Sequence, residues 1–193
     1  MSYDIKWHGC VFNNYMKLFI KNMDGQQSRD WLNDQLDEIG IHREREIYLG
    51  EVTLTAIIPQ PQLMQLRSRL DSKGMCIIYD RKKILTEQVK YLVHDMITED
   101  KPEENYSRYI SKRLYLNYTY LANVFSETEG ITIEHYIINQ KIEKVKQLLL
   151  YSDHSISQIA DITHYSSIGH LSNQFKKVTG VTPSEFKKQV QKD

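Results

Sequence analysis

The sequence predicts an α+β protein in two parts: a βαββαβ sandwich over residues 15–80, then an all-α domain over 105–193. Three observations carry this. Up to residue 80, short runs alternating apolar and polar residues are interleaved with runs of helical period. From Tyr106 onward only helix-sized periodicity remains. Within that second part, a pattern of turn and apolar residues occurs twice, about 50 residues apart.

Residues 1–14 are aperiodic and read as an N-terminal tail. Met16-Lys17-Leu18-Phe19-Ile20-Lys21 alternates like a half-buried strand, and Asn22-Met23-Asp24-Gly25 reads as its turn. Residues 28–39 read as a helix, with Ser28 as N-cap and Trp31, Leu32, Leu36 and Ile39 at helical spacing. Gly40 supplies the left-handed residue that ends it. Residues 41–58 read as two strands turning near Leu49-Gly50-Glu51, stopped by Pro59 and Pro61. A second helix at 63–70, closed by Gly74, and a strand at 75–79 complete the split βαβ order of a ferredoxin-like sandwich. Residues 82–99 form a connecting helix with Ile84, Leu85, Val89, Leu92, Val93 and Met96 on one side, and Lys101-Pro102-Glu103-Glu104 is the boundary.

Charge excludes a purely electrostatic nucleic-acid binder. Lys+Arg and Asp+Glu number 25 each, and residues 101–193 carry only a slight basic excess, 12 against 10. The two cysteines, Cys10 and Cys76, have no metal or redox spacing, which fits a reducing compartment. Cys76 lies in a strand pattern and reads as a small core residue. No apolar run has transmembrane length, and the first residues lack a signal-peptide core, so the expected location is cytoplasmic. His8, His42 and His94 show no ligand spacing, and His135, His154 and His170 lie on or between helices of the second part. No catalytic constellation, metal site or cofactor motif emerges.

The second part reads as helices at 107–116, 119–129, 132–151, 155–162, 167–178 and from Thr182 onward. The first copy of its repeat is Tyr120-Leu121, Phe125, Glu129-Gly130-Ile131-Thr132. The second is His170-Leu171, Phe175, Thr179-Gly180-Val181-Thr182. Leu and Phe four apart lie on one helix face. Each such helix therefore packs inward through that pair and leaves a polar face outward. A single copy would fit an αα-hairpin in a bundle. Two copies joined by one long helix point to paired helix-turn-helix units, whose second helices enter a major groove.

Four runs extend the second copy: Ile156-Ser157-Gln158-Ile159-Ala160, Tyr165-Ser166-Ser167, Leu171-Ser172-Asn173-Gln174-Phe175-Lys176-Lys177 and Thr179-Gly180-Val181-Thr182-Pro183-Ser184-Glu185-Phe186. Through them residues 106–188 resemble the C-terminal DNA-binding domain of AraC/XylS-family transcription regulators. The resemblance implies two helix-turn-helix units bridged by a linker helix, with recognition helices in successive major grooves of double-stranded DNA. By position, Thr119, Tyr120 and Asn123 would face DNA from the first unit. Ser167, Gly169, His170, Ser172 and Asn173 would do so from the second, with Lys176 on phosphate. Asn can pair bidentately with adenine, and Ser or Thr can bond bases or phosphate. Helix capping is an equal reading for the Ser and Thr positions. The sequence departs from the family at Lys141, where arginine is usual, at Val145 (alanine) and at His164 (glycine).

Residues 15–80 are similar to heavy-metal-associated domains, which bind a soft metal through Met-x-Cys-x-x-Cys. Here Gly25 and Ser28 occupy the cysteine positions, so the resemblance implies the fold without the metal site. That leaves the first part for sensing an unidentified effector, self-association or contact with a partner. The expected partners of the whole are double-stranded DNA and RNA polymerase or other transcription machinery. Two other readings compete. A metal sensor or carrier lacks its Cys-x-x-Cys, and a DNA-anchored repair or enzymatic factor would need an activated cysteine, a setting that Cys10 and Cys76 lack.

Overall fold

The computed structural model describes residues 16–23, 25–98 and 105–190. The expected tail, Cys10 and the Lys101–Glu104 boundary lie outside the described residues. Among those described are strands β1 (Met16–Lys21), β2 (Glu51–Leu54) and β3 (Cys76–Ile78), and helices α1 (Gly25–Ile39), α2 (Gln60–Asp71) and α3 (Arg81–Thr98). They are followed by α4 (Tyr106–Leu114), α5 (Tyr118–Glu129), α6 (Ile133–Tyr151), α7 (Ile156–Ile162), α8 (Ile168–Thr179) and α9 (Pro183–Val190).

The sheet has order β2-β1-β3, with both pairings antiparallel. Met16, Leu18 and Ile20 of β1 alternate into the core, where they meet Leu32 and Leu36 of α1 and Leu63, Leu66 and Leu70 of α2. Among the described residues the sheet has three strands, and the four-stranded ferredoxin-like sandwich is not formed. Its expected second strand, within residues 41–48, is reduced to two single bridges, Arg43 to Leu54 and Tyr48 to Glu51. The reason lies in the residues: His42, Arg43, Glu44, Arg45 and Glu46 supply no alternating apolar face. Arg43 instead pairs with Asp37, and Arg45 with Glu51.

Two smaller expectations also change. Helix α1 begins at Gly25, so Ser28 lies inside it and does not cap it; Gln26 already donates to Asp30 at i+4 (2.7 Å). Cys76 stands half-buried on the short β3, outside the main core.

The turn Tyr48-Leu49-Gly50 links this sheet to the helical part. Only glycine fits at 50, where φ is +74° and a Cβ would lie 2.8 Å from the Ile20 carbonyl. Leu49, at φ 51°, is buried in a cluster with Val89, Leu92 and Val93 of α3 and with Ile110, Leu121, Phe125, Ile133 and Ile137. Helix α3 packs on α4, α5 and α6 and also reaches α1 and β1. A third cluster joins Ile142, Val145 and Leu149 of α6 to Ile159, Ala160, Tyr165, Leu171 and Phe175. The long helix α6 thus enters one core with its first half and another with its second.

Candidate nucleic-acid interface

The repeat is built twice in three dimensions. Helices α4 and α5 are joined through Tyr115, and α7 and α8 through His164, both with φ of 55°. Gly130 and Gly180 end α5 and α8 in the left-handed conformation, donating to the Ser126 and Lys176 carbonyls. Leu121, Phe125, Leu171 and Phe175 are fully buried. The new start after each glycine is capped alike, by Thr132 on the His135 amide and by Thr182 on the Glu185 amide. Glu185 reaches back to the Thr182 amide (2.7 Å), and that bond to the backbone is the largest cause holding its carboxyl below the usual range.

Burying Leu and Phe fixes which residues α5 and α8 present outward. On α5, Thr119, Tyr120 and Asn123 are exposed. On α8 and its approach, Ser167, Gly169, His170, Asn173 and Lys176 are exposed, and Ser172 is half-buried. The structure therefore groups the expected positions on two helix faces. Their local duties differ. The Ser167 hydroxyl accepts from the His170 amide at 3.1 Å and caps α8. The cap of α5 is Asn117, a residue absent from the expected positions, whose Oδ1 accepts from the Thr119 amide (2.8 Å). Its place directly before an apolar-periodic helix was the available signal. The His170 ring shares a 3.1 Å hydrogen bond with the Ser166 hydroxyl and meets the Tyr165 ring edge-on at 5.2 Å. Asn123, Asn173 and Lys176 are exposed with no such local duty among the described residues.

Charge around α5 is modified from outside the repeat. Glu127 binds Lys82 of α3 at 2.6 Å, and this bond is the main reason the Lys82 ammonium titrates higher than usual. Lys90 bridges Glu87 and Glu129. Arg113, at the end of α4, donates to the Tyr48 hydroxyl at 3.0 Å and lies 5.0 Å from the Tyr109 ring centroid. Residues from the first hundred positions thus neutralise acidic groups beside α5, a contribution the periodicity of 106–188 alone does not reveal.

Among the described residues, no three His, Cys, Asp or Glu side chains converge as a metal site, and no helix is long and apolar enough to cross a membrane.

With this geometry in place, comparison with known proteins is direct. Residues 110–189 match the family model described as a helix-turn-helix domain. The Msm operon regulatory protein of Streptococcus mutans is 28% identical over 109 residues, 56% of this chain and 38% of its own length. The uncharacterized HTH-type transcriptional regulator SAS0078 of Staphylococcus aureus is 24% identical over 186 residues, 92% of this chain and 25% of its own. The chain thus spans well under two thirds of either relative. The C-terminal domain of AraT, a response regulator from Geobacillus stearothermophilus, superposes with a TM-score of 0.51 at 21% identity, covering 57% of this chain and 88% of that domain. Residues 110–189 therefore carry a helix-turn-helix domain, in the fold that the C-terminal domain of AraT also adopts.

Proposed function

We propose that the protein is a sequence-specific DNA-binding transcription regulator that reads two successive major grooves with α5 and α8. The observation that carries this reading is the built repeat: two helices, each pinned inward by Leu and Phe, present polar faces from one linker helix. Asn123 and Asn173 are the bidentate base readers, and Lys176 anchors phosphate. Thr119, Tyr120, Gly169, His170 and Ser172 complete the two contact faces, while Ser167 serves α8 as its cap. The unit ahead of α3 takes the input, an unidentified effector or a second copy of the chain, and the output is contact with RNA polymerase or other transcription machinery. The setting is the cytoplasm.

Selection from random DNA duplexes tests this and requires no defined operator. An asymmetric site with two boxes about one helical turn apart is the expected product. Enrichment of no sequence, with binding governed by salt alone, would overturn the reading.

A further inference from the structure

The joint between the two units contains a cation that no carboxylate among the described residues faces. Lys141 projects from the middle of α6, between Ile137 of one core and Ile142 of the other. Its Nζ lies 5.7 Å from the Tyr106 ring centroid and 5.2 Å from that of Tyr165, both within cation–π range. It also faces the His164 carbonyl at 3.5 Å. Among the described residues no carboxylate pairs with it. The three neighbours come from different places: Tyr106 opens α4 of the first unit, whereas His164 and Tyr165 form the turn leading into α8. Tyr165 continues the chain of contacts to His170 on the outward face of α8.

The site is an expensive one to maintain. Burial disfavours the Lys141 ammonium and lowers its pKa. The Tyr106 hydroxyl, the Tyr165 hydroxyl and His164 Nε2 are buried without a hydrogen-bond partner among the described residues. An apolar side chain would avoid the desolvation but could not draw two ring faces and a carbonyl to one point. The carbonyl belongs to a residue held at φ 55°, so anchoring it fixes the turn from which α8 departs.

We propose that Lys141 is a positioning residue that holds the second recognition helix in one pose relative to the first and thereby sets the spacing between the two DNA boxes. This rests on DNA reading by α5 and α8, but its first test does not need DNA. With Cys10 and Cys76 replaced by serine, spin labels are attached through Asn123→Cys and Asn173→Cys, and their separation is measured by pulsed electron resonance. The parent is expected to give one narrow distance distribution, Lys141→Met a broadened or split one, and Lys141→Arg a narrow one again. Tyr106→Leu, which keeps the charge and removes one ring, serves as the second variant and is expected to broaden it likewise. Unchanged distributions in both Lys141→Met and Tyr106→Leu would overturn the proposal, as would failure of Lys141→Arg to restore the narrow one.

The second readout is competition, on unlabelled protein, between the selected site and the same site with one base pair inserted between the boxes. The discrimination is expected to fall at least about fivefold in Lys141→Met and to return in Lys141→Arg. Loss of affinity for both spacings by an equal factor would instead mark a general structural role and overturn the assignment. Should the parent enrich no specific site, the DNA reading fails, and the label distances still decide what Lys141 does at the joint.

Discussion

The Lys141 ammonium lies 5.2 Å from the centre of the Tyr165 ring and has no carboxylate partner among the described residues. Its pKa is lowered by burial, so the folded state binds this proton less tightly than the unfolded chain does. The unfolded value is near the ordinary 10.5. Between the lowered folded value and the unfolded one, the unfolded state holds more protons, and stability rises with pH. Lys141→Met is therefore expected to melt at the same temperature as the parent or higher at neutral pH. Its advantage should shrink as pH approaches about 10. Melting curves across that window check this; a Met variant that melts well below the parent throughout would contradict it.

The two rings around that cation titrate in the opposite sense. Burial pushes the Tyr106 and Tyr165 phenols up to about 12, above the ordinary 10.0. Folding favours their neutral form, so their contribution is complete below the unfolded value and is lost as pH climbs from 10 toward 12. Ultraviolet titration should show these two tyrosines ionising after most of the 13 in the chain. Tyr165→Phe keeps the face that Lys141 and His170 use and removes a hydroxyl that has no hydrogen-bond partner among the described residues. It should cost less than about 1 kcal/mol at neutral pH and flatten the alkaline loss of stability.

The roles proposed for α8 separate into capping, base reading and phosphate binding, and each should fail differently. Ser167→Ala removes the hydroxyl that accepts from the His170 amide, and about 1 kcal/mol of stability should go with it. Asn173→Ala should leave melting unchanged and relax preference within one DNA box, at a cost of about 1–3 kcal/mol on the preferred base. Lys176→Ala should weaken all sequences alike and reduce the salt slope by about 1. Binding titrations at several salt concentrations, beside melting curves, distinguish the three outcomes. A Ser167→Ala protein with normal melting but altered base preference would return that residue to the reading face.

What was legible in the sequence follows from which interactions are local. Leu121, Phe125, Leu171 and Phe175, the glycines after each helix and the Thr132 and Thr182 caps all act within a turn or two of chain, so spacing alone exposed them. The expected strand within 41–48 failed because strand pairing is decided by partners, and five polar residues in a row gave it no apolar face. The docking of α3 on α5 was hidden for a related reason. Its apolar stripe announced a buried helix without naming what buries it, and nothing in the spacing of Lys82, Lys90 or Arg113 identifies the distant partners they bind. The site at Lys141 was half legible: its departure from arginine could be seen in one dimension, but its ring neighbours are 35 and 24 residues away in the chain.

Leu49 provides the sharpest test of how the sheet is joined to the helix-turn-helix domain. It is 6% exposed and packs with Val89, Leu92, Ile110 and Phe125, yet its φ of 51° is one that branched apolar residues rarely adopt. Leu49→Ala keeps the backbone cost and loses the packing, so about 2–5 kcal/mol should disappear. Leu49→Gly loses the same packing but relieves a conformation that costs about 1 kcal/mol or more for a residue with a Cβ. Glycine should therefore be no worse than alanine at this position and up to about 1 kcal/mol better, the reverse of their order in a helix. Urea denaturation of the two variants measures the difference directly. Because Leu121 and Phe125 share the cluster, hydrogen exchange on α5 should rise in both variants while α8 stays protected. Exchange that rises equally on α5 and α8 would show that the Leu49 contact supports the whole domain and not the first unit.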